Sequence, residues 1–446
     1  MRVRKSGERI RILGLAGYLA LALLLALPLA GCGAKEAPPT GTGGQGQAAE
    51  PPGVSPSRGE DRGAIGLTER EKPLIEATNR FAFGLYGHLA REAGGRNVFV
   101  SPLSVAIALS MTNNGADGDT REAIASALGQ ERLDIGEVNR SFQTILQALE
   151  SEGNGAVVHI ANSLWLREGK EFLDGFLQAN RQFYGAETRT LDFGGERAAK
   201  EINEWVGAAT RGKIPQVIQG PIPDDVILYL INAIYFKGGW QHPFDPADTR
   251  DEAFRLADGG TKVHPFMKRS GWFDYQETDL FQAVKLPYAG RRFSLVVLLP
   301  REGRDLAELH EALSADRWES WMKGFRQRRG TVELPRFKTE YEKSLKEPIA
   351  AMGMGIAFDR DRADFSLMAG TPPRIYLSEV KHKSFVEVNE KGTEAAAVTV
   401  VEASVSGAAP PTEPFRMKAD RPFFFAIVEE GQGTVLFMGS VQEPAE

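Results

Sequence analysis

Residues 393–406 alternate in a way that restricts what can be built around them. From Thr393 the odd positions read Thr, Ala, Ala, Thr, Val, Ala, Val. The even positions from Glu394 read Glu, Ala, Val, Val, Glu, Ser, Ser. Both charges fall on one face, which is the pattern of a β-strand with one buried face. The small side chains add little to a fixed core, and the composition is not that of a Gly-, Ser- and Pro-rich linker. Upstream, IYLSEV (375–380) reads as a strand; downstream, GAAPPTEP (407–414) reads as an exposed loop. The segment is a loop by its flanks and a half-buried strand by its parity.

The rest of the chain reads as a mixture of helices and sheets. Leu74, Phe81, Leu85 and Leu89 stand at helical spacing, so 70–91 is an amphipathic helix. Ser101 and Pro102 supply a cap and a first-turn proline for a helix over 102–112. Further helices are expected over 119–128, 171–183, 198–209, 306–313 and 317–325. Residues 157–166 read as a strand with few charges, consistent with a sheet interior, and 226–236 are nearly continuous apolar sequence, as in a central strand. Strands dominate 254–299 and return at 332–338, 375–390 and 422–441.

The N-terminal 66 residues have a different character. Residues 1–31 carry five basic residues and one acid, followed by an apolar run over 12–30, the layout of a secretory signal. The run ends in Leu29-Ala30-Gly31-Cys32, which resembles a bacterial lipobox, and Cys32 is the only cysteine of the chain. The expectation is a signal peptide (1–31), a lipidated Cys32 and membrane attachment through its acyl chains. A signal-anchor helix is the alternative. Residues 33–66 are too poor in apolar residues to fold, so 32–66 reads as a tether. This predicts an extracytoplasmic, membrane-anchored protein, at the cell surface or in a periplasm.

Net charge is −6 overall, and −10 once residues 1–31 are set aside. An acidic chain argues against nucleic acid as a partner. No Gly-rich phosphate loop, Cys pair or His cluster is present, so neither a metal nor a cofactor is expected. No G-x-S-x-G motif occurs, which argues against a hydrolase. Lys323, Arg326, Arg328 and Arg329 form a basic cluster, but Glu311, Asp316 and Glu319 lie close by, and the solvated-face reading is favoured over a polyanion site.

VNEKGTEAAAVT (388–399) resembles the reactive-loop hinge of the serpins, protease inhibitors that act by loop insertion. The resemblance extends in order and spacing through NVFVSPLSVAIALSMTNNGADGDTREAI (97–124), INEWVGAATRGKI (202–214), LINAIYFKGGW (230–240), VKLPY (284–288), VELPRF (332–337), VKHKSFVEVNEKGTEAA (380–396), RPFFFAIV (421–428) and LFMGSV (436–441). It covers residues 67–446. It implies an α+β serpin fold of three β-sheets and about nine helices with an exposed reactive-centre loop, in a monomer.

The implied activity is inhibition, not catalysis. A target serine protease, or a cysteine protease, cleaves the loop and is trapped as the loop enters the large sheet. The implied hinge is Glu390, Gly392, Thr393, Glu394, Ala395, Ala396, Ala397 and Thr399. Counting about fourteen residues from Gly392 puts the reactive bond at Ser406–Gly407, with Val405–Ser406 as the alternative. Ser101, Asn232 and His382 match the polar cluster beneath the opening sheet, and Trp240 and Lys381 are expected where the loop first enters. Arg421 departs from the family, where His is frequent. Residues 400–409 contain no Lys or Arg, so small-residue-preferring elastase-like or subtilisin-like proteases are the expected targets. A non-inhibitory serpin-like binding protein or chaperone is the alternative.

Overall fold

The periodicities resolve into two sheets and a set of helices in a computed structural model, which describes residues 67–150, 155–370, 375–393 and 413–445. In chain order the elements begin with α1 (Lys72–Ala93), β1 (Val98–Val100), α2 (Pro102–Asn113), α3 (Gly118–Ala127), α4 (Ile135–Glu150) and β2 (Ala156–Arg167). Next come α5 (Asp174–Tyr184), β3 (Glu187–Leu191), α6 (Glu196–Ala209), β4 (Leu228–Gly239), β5 (Arg250–Arg255) and β6 (Thr261–Glu277). Then follow β7 (Phe281–Pro287), β8 (Phe293–Pro300), α7 (Leu306–Ala312), α8 (Ala315–Gly324), β9 (Arg326–Pro335), β10 (Phe337–Ser344) and α9 (Lys346–Ile349). The chain closes with β11 (Lys381–Asn389), β12 (Gly392–Thr393), β13 (Phe415–Lys418), β14 (Phe423–Glu429) and β15 (Val435–Val441).

One sheet has six strands in the order β10-β11-β12-β4-β2-β3. The other has nine, in the order β1-β15-β14-β8-β7-β6-β9-β13, with β5 attached to β6. The long β6 pairs with β5, β7 and β9. Its length joins what the resemblance counts as two smaller sheets into one continuous ladder. Nine α-helices are present among the described residues.

α2 is apolar on nearly every side and touches both β4 and β15, so it lies between the two sheets. Ser101 caps it, its Oγ accepting from the Ser104 N–H. On the opposite face of the six-stranded sheet α6 packs Ile202 and Val206 against Trp165 and Ile231. Between α2 and α6, residues 160–166 of β2 and 231–236 of β4 are buried or half-buried on both faces, which is why these stretches carry few charges.

Three differences from the sequence expectations stand out. Residues 375–380 form no ladder: β10 ends at Ser344, opposite Lys381, and beyond it a single backbone bond from Leu345 N–H to the Val380 carbonyl takes the place of strand pairing. Helix α4 was not foreseen, although Val138, Phe142, Ile145, Leu146 and Leu149 stand at helical spacing and are buried. The short β13 also escaped notice, because four residues carry too little pattern.

Candidate functional site

β11 runs up to Asn389, turns through Glu390 and Lys391, and returns as the two-residue strand β12. β12 is antiparallel to β11 on one edge, with Val388 opposite Thr393 and Asn389 opposite Gly392. On its other edge it is antiparallel to β4, with Gly392 opposite Gly239 and Thr393 opposite Gly238. The hinge therefore begins as a new strand wedged between β11 and β4.

The chemistry at the turn explains why it holds. The Trp240 backbone N–H donates to the Lys391 carbonyl at 2.9 Å, and the Trp240 ring N–H donates to the Asn389 carbonyl at 2.9 Å. Gly392 has φ +146°, and a Cβ there would stand 2.0 Å from the Gly238 oxygen, so only glycine fits. Thr393 is 2% exposed, and its hydroxyl lies 2.6 Å from that of Tyr288. Tyr288 stacks on Trp240 with ring centroids 4.7 Å apart.

Glu390 is buried beside the turn. Its carboxylate accepts two-pronged hydrogen bonds from Arg336 at 2.7–3.0 Å and one from the Thr249 hydroxyl at 2.6 Å. Burial alone would raise its pKa; the hydrogen bonds from Arg336, Thr249 and its own backbone, with the Arg336 charge, outweigh burial and hold it below the usual carboxylate range. The arrangement pins the outer end of the hinge to the β9–β10 junction.

Below Thr393 the two flanking strands separate. Among the described residues no ladder joins β11 to β4. A cavity of about 1250 Å³ occupies the space, lined by Leu228, Leu230 and Asn232 on one side and by Leu377, Val380 and His382 on the other. The core-facing side chains of β4 record this gap. Phe236 and Gly238, near the β12 stub, are buried; Leu228, Leu230, Asn232 and Ile234, farther down, are only half-buried.

The floor of the slot is a chain of polar groups. The Ser101 N–H donates to His382 Nε2 at 3.2 Å, and Ser101 Oγ donates to the Leu436 carbonyl at 2.8 Å. The Ser104 hydroxyl bonds Asn232 Oδ1, and Asn232 Nδ2 donates to Asn162 Oδ1 at 2.6 Å. Asn162 Nδ2 donates to the Tyr184 carbonyl, and the Tyr184 hydroxyl to Asn139 Oδ1, each at 2.8 Å. The expected cluster of Ser101, Asn232 and His382 is thus brought together. Trp240 stands at the mouth of the slot. Lys381 does not: it opens β11 at the opposite end, exposed and paired with Ser344, because β11 is nine residues long. Arg421 hydrogen-bonds the Pro300 carbonyl and pairs with Asp420.

Sequence reasoning did not foresee the roles of Ser104, Asn162, Thr249, Tyr288 and Arg336. Tyr288 and Arg336 lie inside recognised motifs, yet their partners are about 50 to more than 100 residues away. Cys32, Glu394, Ala395, Ala396, Ala397, Thr399, Val405, Ser406 and Gly407 fall outside the described residues.

Burial pulls the His382 imidazole down to about 4. His310, beside the Tyr86 hydroxyl at 3.0 Å, is pulled down by burial to about 4 as well, against the opposing charge of Asp305. Both are neutral at pH 7. The unfolded chain binds protons that the folded one refuses between about pH 6.5 and 4, so stability present above pH 6.5 is lost as pH falls through that window. Each histidine accounts for up to about 3 kcal/mol of that loss. Urea midpoints measured from pH 7 to 4 are expected to fall, and to fall less in His382→Gln; an unchanged slope in that variant removes His382 from the account.

These features define a class of protein: one whose central sheet holds a started but unfinished strand. The family model described as Serpin (serine protease inhibitor) matches residues 76–444. An uncharacterised serpin-like protein of Thermococcus kodakarensis is 37% identical over 380 residues, covering 84% of this chain and 87% of its own. The leukocyte elastase inhibitor of Equus caballus is 35% identical over 382 residues, covering 83% and 99%. Among solved structures, the thermophilic serpin Tengpin in its native state superposes with a TM-score of 0.75 at 30% identity, covering 85% of this chain and 95% of that one. The chain belongs to the serpin family.

Proposed function

We propose that this protein is a suicide-substrate inhibitor of serine endopeptidases that completes its six-stranded sheet with its own cleaved loop. The observation that carries the reading is the β12 stub, paired on both edges above an unfilled slot. Continuing the Thr393–Gly238 and Thr393–Val388 register downward sets Ala395 beside Phe236 and Val386. It sets Ala397 beside Ile234 and Ser384, and Thr399 between Asn232 and His382. These odd positions share the face of Thr393, which is buried, and none is charged or large. Glu394, on the outer face, comes beside Lys237, which has no ion-pair partner among the described residues.

The energetics favour completion. Residues 394–403 gain ladder hydrogen bonds on both edges at ~0.5–1.5 kcal/mol each, and they cover the half-buried Leu228, Leu230 and Ile234. The total is on the order of 10 kcal/mol. The uncleaved form is held by kinetics, since the loop is tied at both ends.

The target's serine Oγ attacks the carbonyl carbon of Ser406. The C–N bond to Gly407 breaks, the leaving amine takes a proton and becomes a new N-terminus, and Ser406 stays esterified to the enzyme. Strand completion then carries the acyl-enzyme away before water can hydrolyse the ester. Small side chains at 403–408 suit elastase-like or subtilisin-like enzymes, in keeping with the elastase-inhibitor name of one relative. Incubation with pancreatic elastase and with subtilisin is expected to give SDS-stable complexes and a released fragment beginning at Gly407, or at Ser406. Mass spectrometry of that fragment decides it; a first cut at Arg416 or outside the loop contradicts the assignment.

The reading includes a location. Lipidated Cys32 and the tether over 33–66 would hold the inhibitor at a membrane surface, where it guards against proteases. Replacing Cys32 by Ser is expected to shift the protein from the detergent-extracted membrane fraction to the soluble extracytoplasmic fraction; retention in the membrane would favour the signal-anchor alternative.

A further inference from the structure

The turn that follows α6 crosses the outer face of the six-stranded sheet. Arg211 (φ +51°) and Gly212 (φ +80°) take left-handed backbone, which redirects the chain after the helix. Two residues apart, its side chains reach opposite banks of the slot. The Arg211 guanidinium lies over the Tyr235 ring of β4, 5.2 Å from the centroid, and the Lys213 ammonium over the Phe385 ring of β11, at 4.5 Å. Ile214, next along, is buried in the same cluster as Ile202 and Val206 of α6. In the register already given, Ala396 enters between Tyr235 and Phe385, beneath this crossing.

A cleft of about 310 Å³ opens where the crossing meets β10 and β11. Residues 212–215 form one wall, and Lys338, Lys383 and Phe385 stand on the other. That volume is at the small end of ligand sites, about 300–1,000 Å³. Phe385 and Ile214 give the cleft an apolar body, and the charges around it are sorted by depth. The side chains of Lys213, Lys338 and Lys383 are 23–39% exposed, those of their carboxylate partners Glu387, Glu340 and Glu342 41–65%. In each pair the ammonium is the better covered member and the carboxylate turns outward.

The pairs at the heart of the cleft are loose. Lys213 stands 3.7 Å from Glu387, and Lys338 stands 3.6 Å from Glu340. Lys338 also lies 5.7 Å from the centroid of the Phe385 ring that Lys213 covers. Two ammonium groups thus share one ring, and an anion set between them relieves their repulsion. Inorganic phosphate would leave the apolar wall uncovered, and a neutral aromatic would leave the ammonium groups unanswered. The cleft is matched by a ligand with both features.

Resting on the inhibitor reading, we propose that this cleft binds a small aromatic carboxylate, and that the bound anion holds the crossing down over the slot. The carboxylate accepts hydrogen bonds from Lys213 and Lys338, and the flat body lies against Phe385. Such a ligand joins residues 212–215 to β10 and β11, whereas the entering strand needs the crossing free to rise above Ala396. The anion is therefore a brake on strand completion. A ligand that binds only the lowered crossing slows that step by about tenfold when present at ten times its Kd.

The probe is 2-naphthoate, titrated into the uncleaved protein and followed by ligand-observed NMR. It is expected to bind with a Kd of about 1 mM or tighter. Inorganic phosphate and the neutral 2-naphthalenemethanol, each lacking one half of the recognition, are expected to bind at least about tenfold more weakly. Lys338→Glu and Phe385→Leu should each weaken naphthoate binding by about tenfold or more, and the melting temperature of Lys338→Glu should be unchanged. Neither residue lines the slot. Naphthoate taken up by the slot would therefore bind both variants as it binds the wild type. That outcome overturns the proposal, as does equal binding of phosphate or of the alcohol. With pancreatic elastase and subtilisin, naphthoate at ten times Kd is expected to raise the ratio of cleaved inhibitor to complex by about tenfold in the wild type and not in Lys338→Glu. Binding without that change overturns the brake. If the wild type forms no complex even without naphthoate, the inhibitor reading fails by itself, and the cleft is judged by binding to the wild type and variants alone.

Discussion

Thr393→Arg is expected to turn the protein from a trap into a substrate. Thr393 is the first loop residue inside the sheet, buried against Tyr288, which is stacked on Trp240. Thr393 is 2% exposed, and burying a guanidinium there uncompensated costs on the order of several kcal/mol. The choice between trapping and release is a race between strand completion and hydrolysis of the acyl-enzyme. Each ~1.4 kcal/mol added to the barrier for strand completion shifts that race tenfold. SDS-stable complex is therefore expected to drop by at least about tenfold, while cleaved inhibitor accumulates at an undiminished rate. Ala395→Pro should do the same by a different route, since proline removes a ladder hydrogen bond and is excluded from central strands. Thr393→Val, which keeps size and loses only the hydroxyl, serves as the control for general damage. If the Arg and Pro variants both retain wild-type complex yields, strand completion is not the trapping step.

The second large effect concerns the protein alone. Nicking the loop with a catalytic amount of subtilisin, and so freeing residues 394–406 to enter the slot, is expected to raise the melting temperature by on the order of 10 °C. The figure follows from about 10 kcal/mol of added ladder and burial spread over a domain of this size. Calorimetry before and after nicking measures it. No rise would mean that the slot does not accept the strand, and would favour the binding-protein alternative, in which the loop is cut without consequence.

The helical spacing in α1 was legible because it depends on residues close in sequence. The polar cluster was legible in membership, through Ser101, Asn232 and His382, since all three lie in family motifs. What joins them was not. Asn162 and Ser104 enter through hydrogen bonds spanning 70 and 128 residues. The slot is a gap between β4 and β11, separated by over a hundred residues, and no local pattern spells a gap. The misplaced Lys381 has the same origin: adjacency to His382 in sequence says nothing of which end of a nine-residue strand faces the mouth. The 375–380 stretch has strand-like composition, but composition cannot supply a ladder partner: the stretch is held by isolated backbone bonds from Leu345 N–H to the Val380 carbonyl and from Leu377 N–H to the Ala357 carbonyl.

The half-buried lower end of β4 has a thermal consequence. Leu228, Leu230 and Ile234 keep apolar surface in contact with solvent within the slot, and hydration of such surface raises heat capacity. Covering it makes the heat-capacity change of strand completion negative, so the enthalpy and entropy of that step both shift with temperature. The hydrophobic part of the driving force fades on cooling, whereas the ladder hydrogen bonds remain. Larger apolar side chains along this edge would therefore strengthen strand completion more in warmth than in the cold.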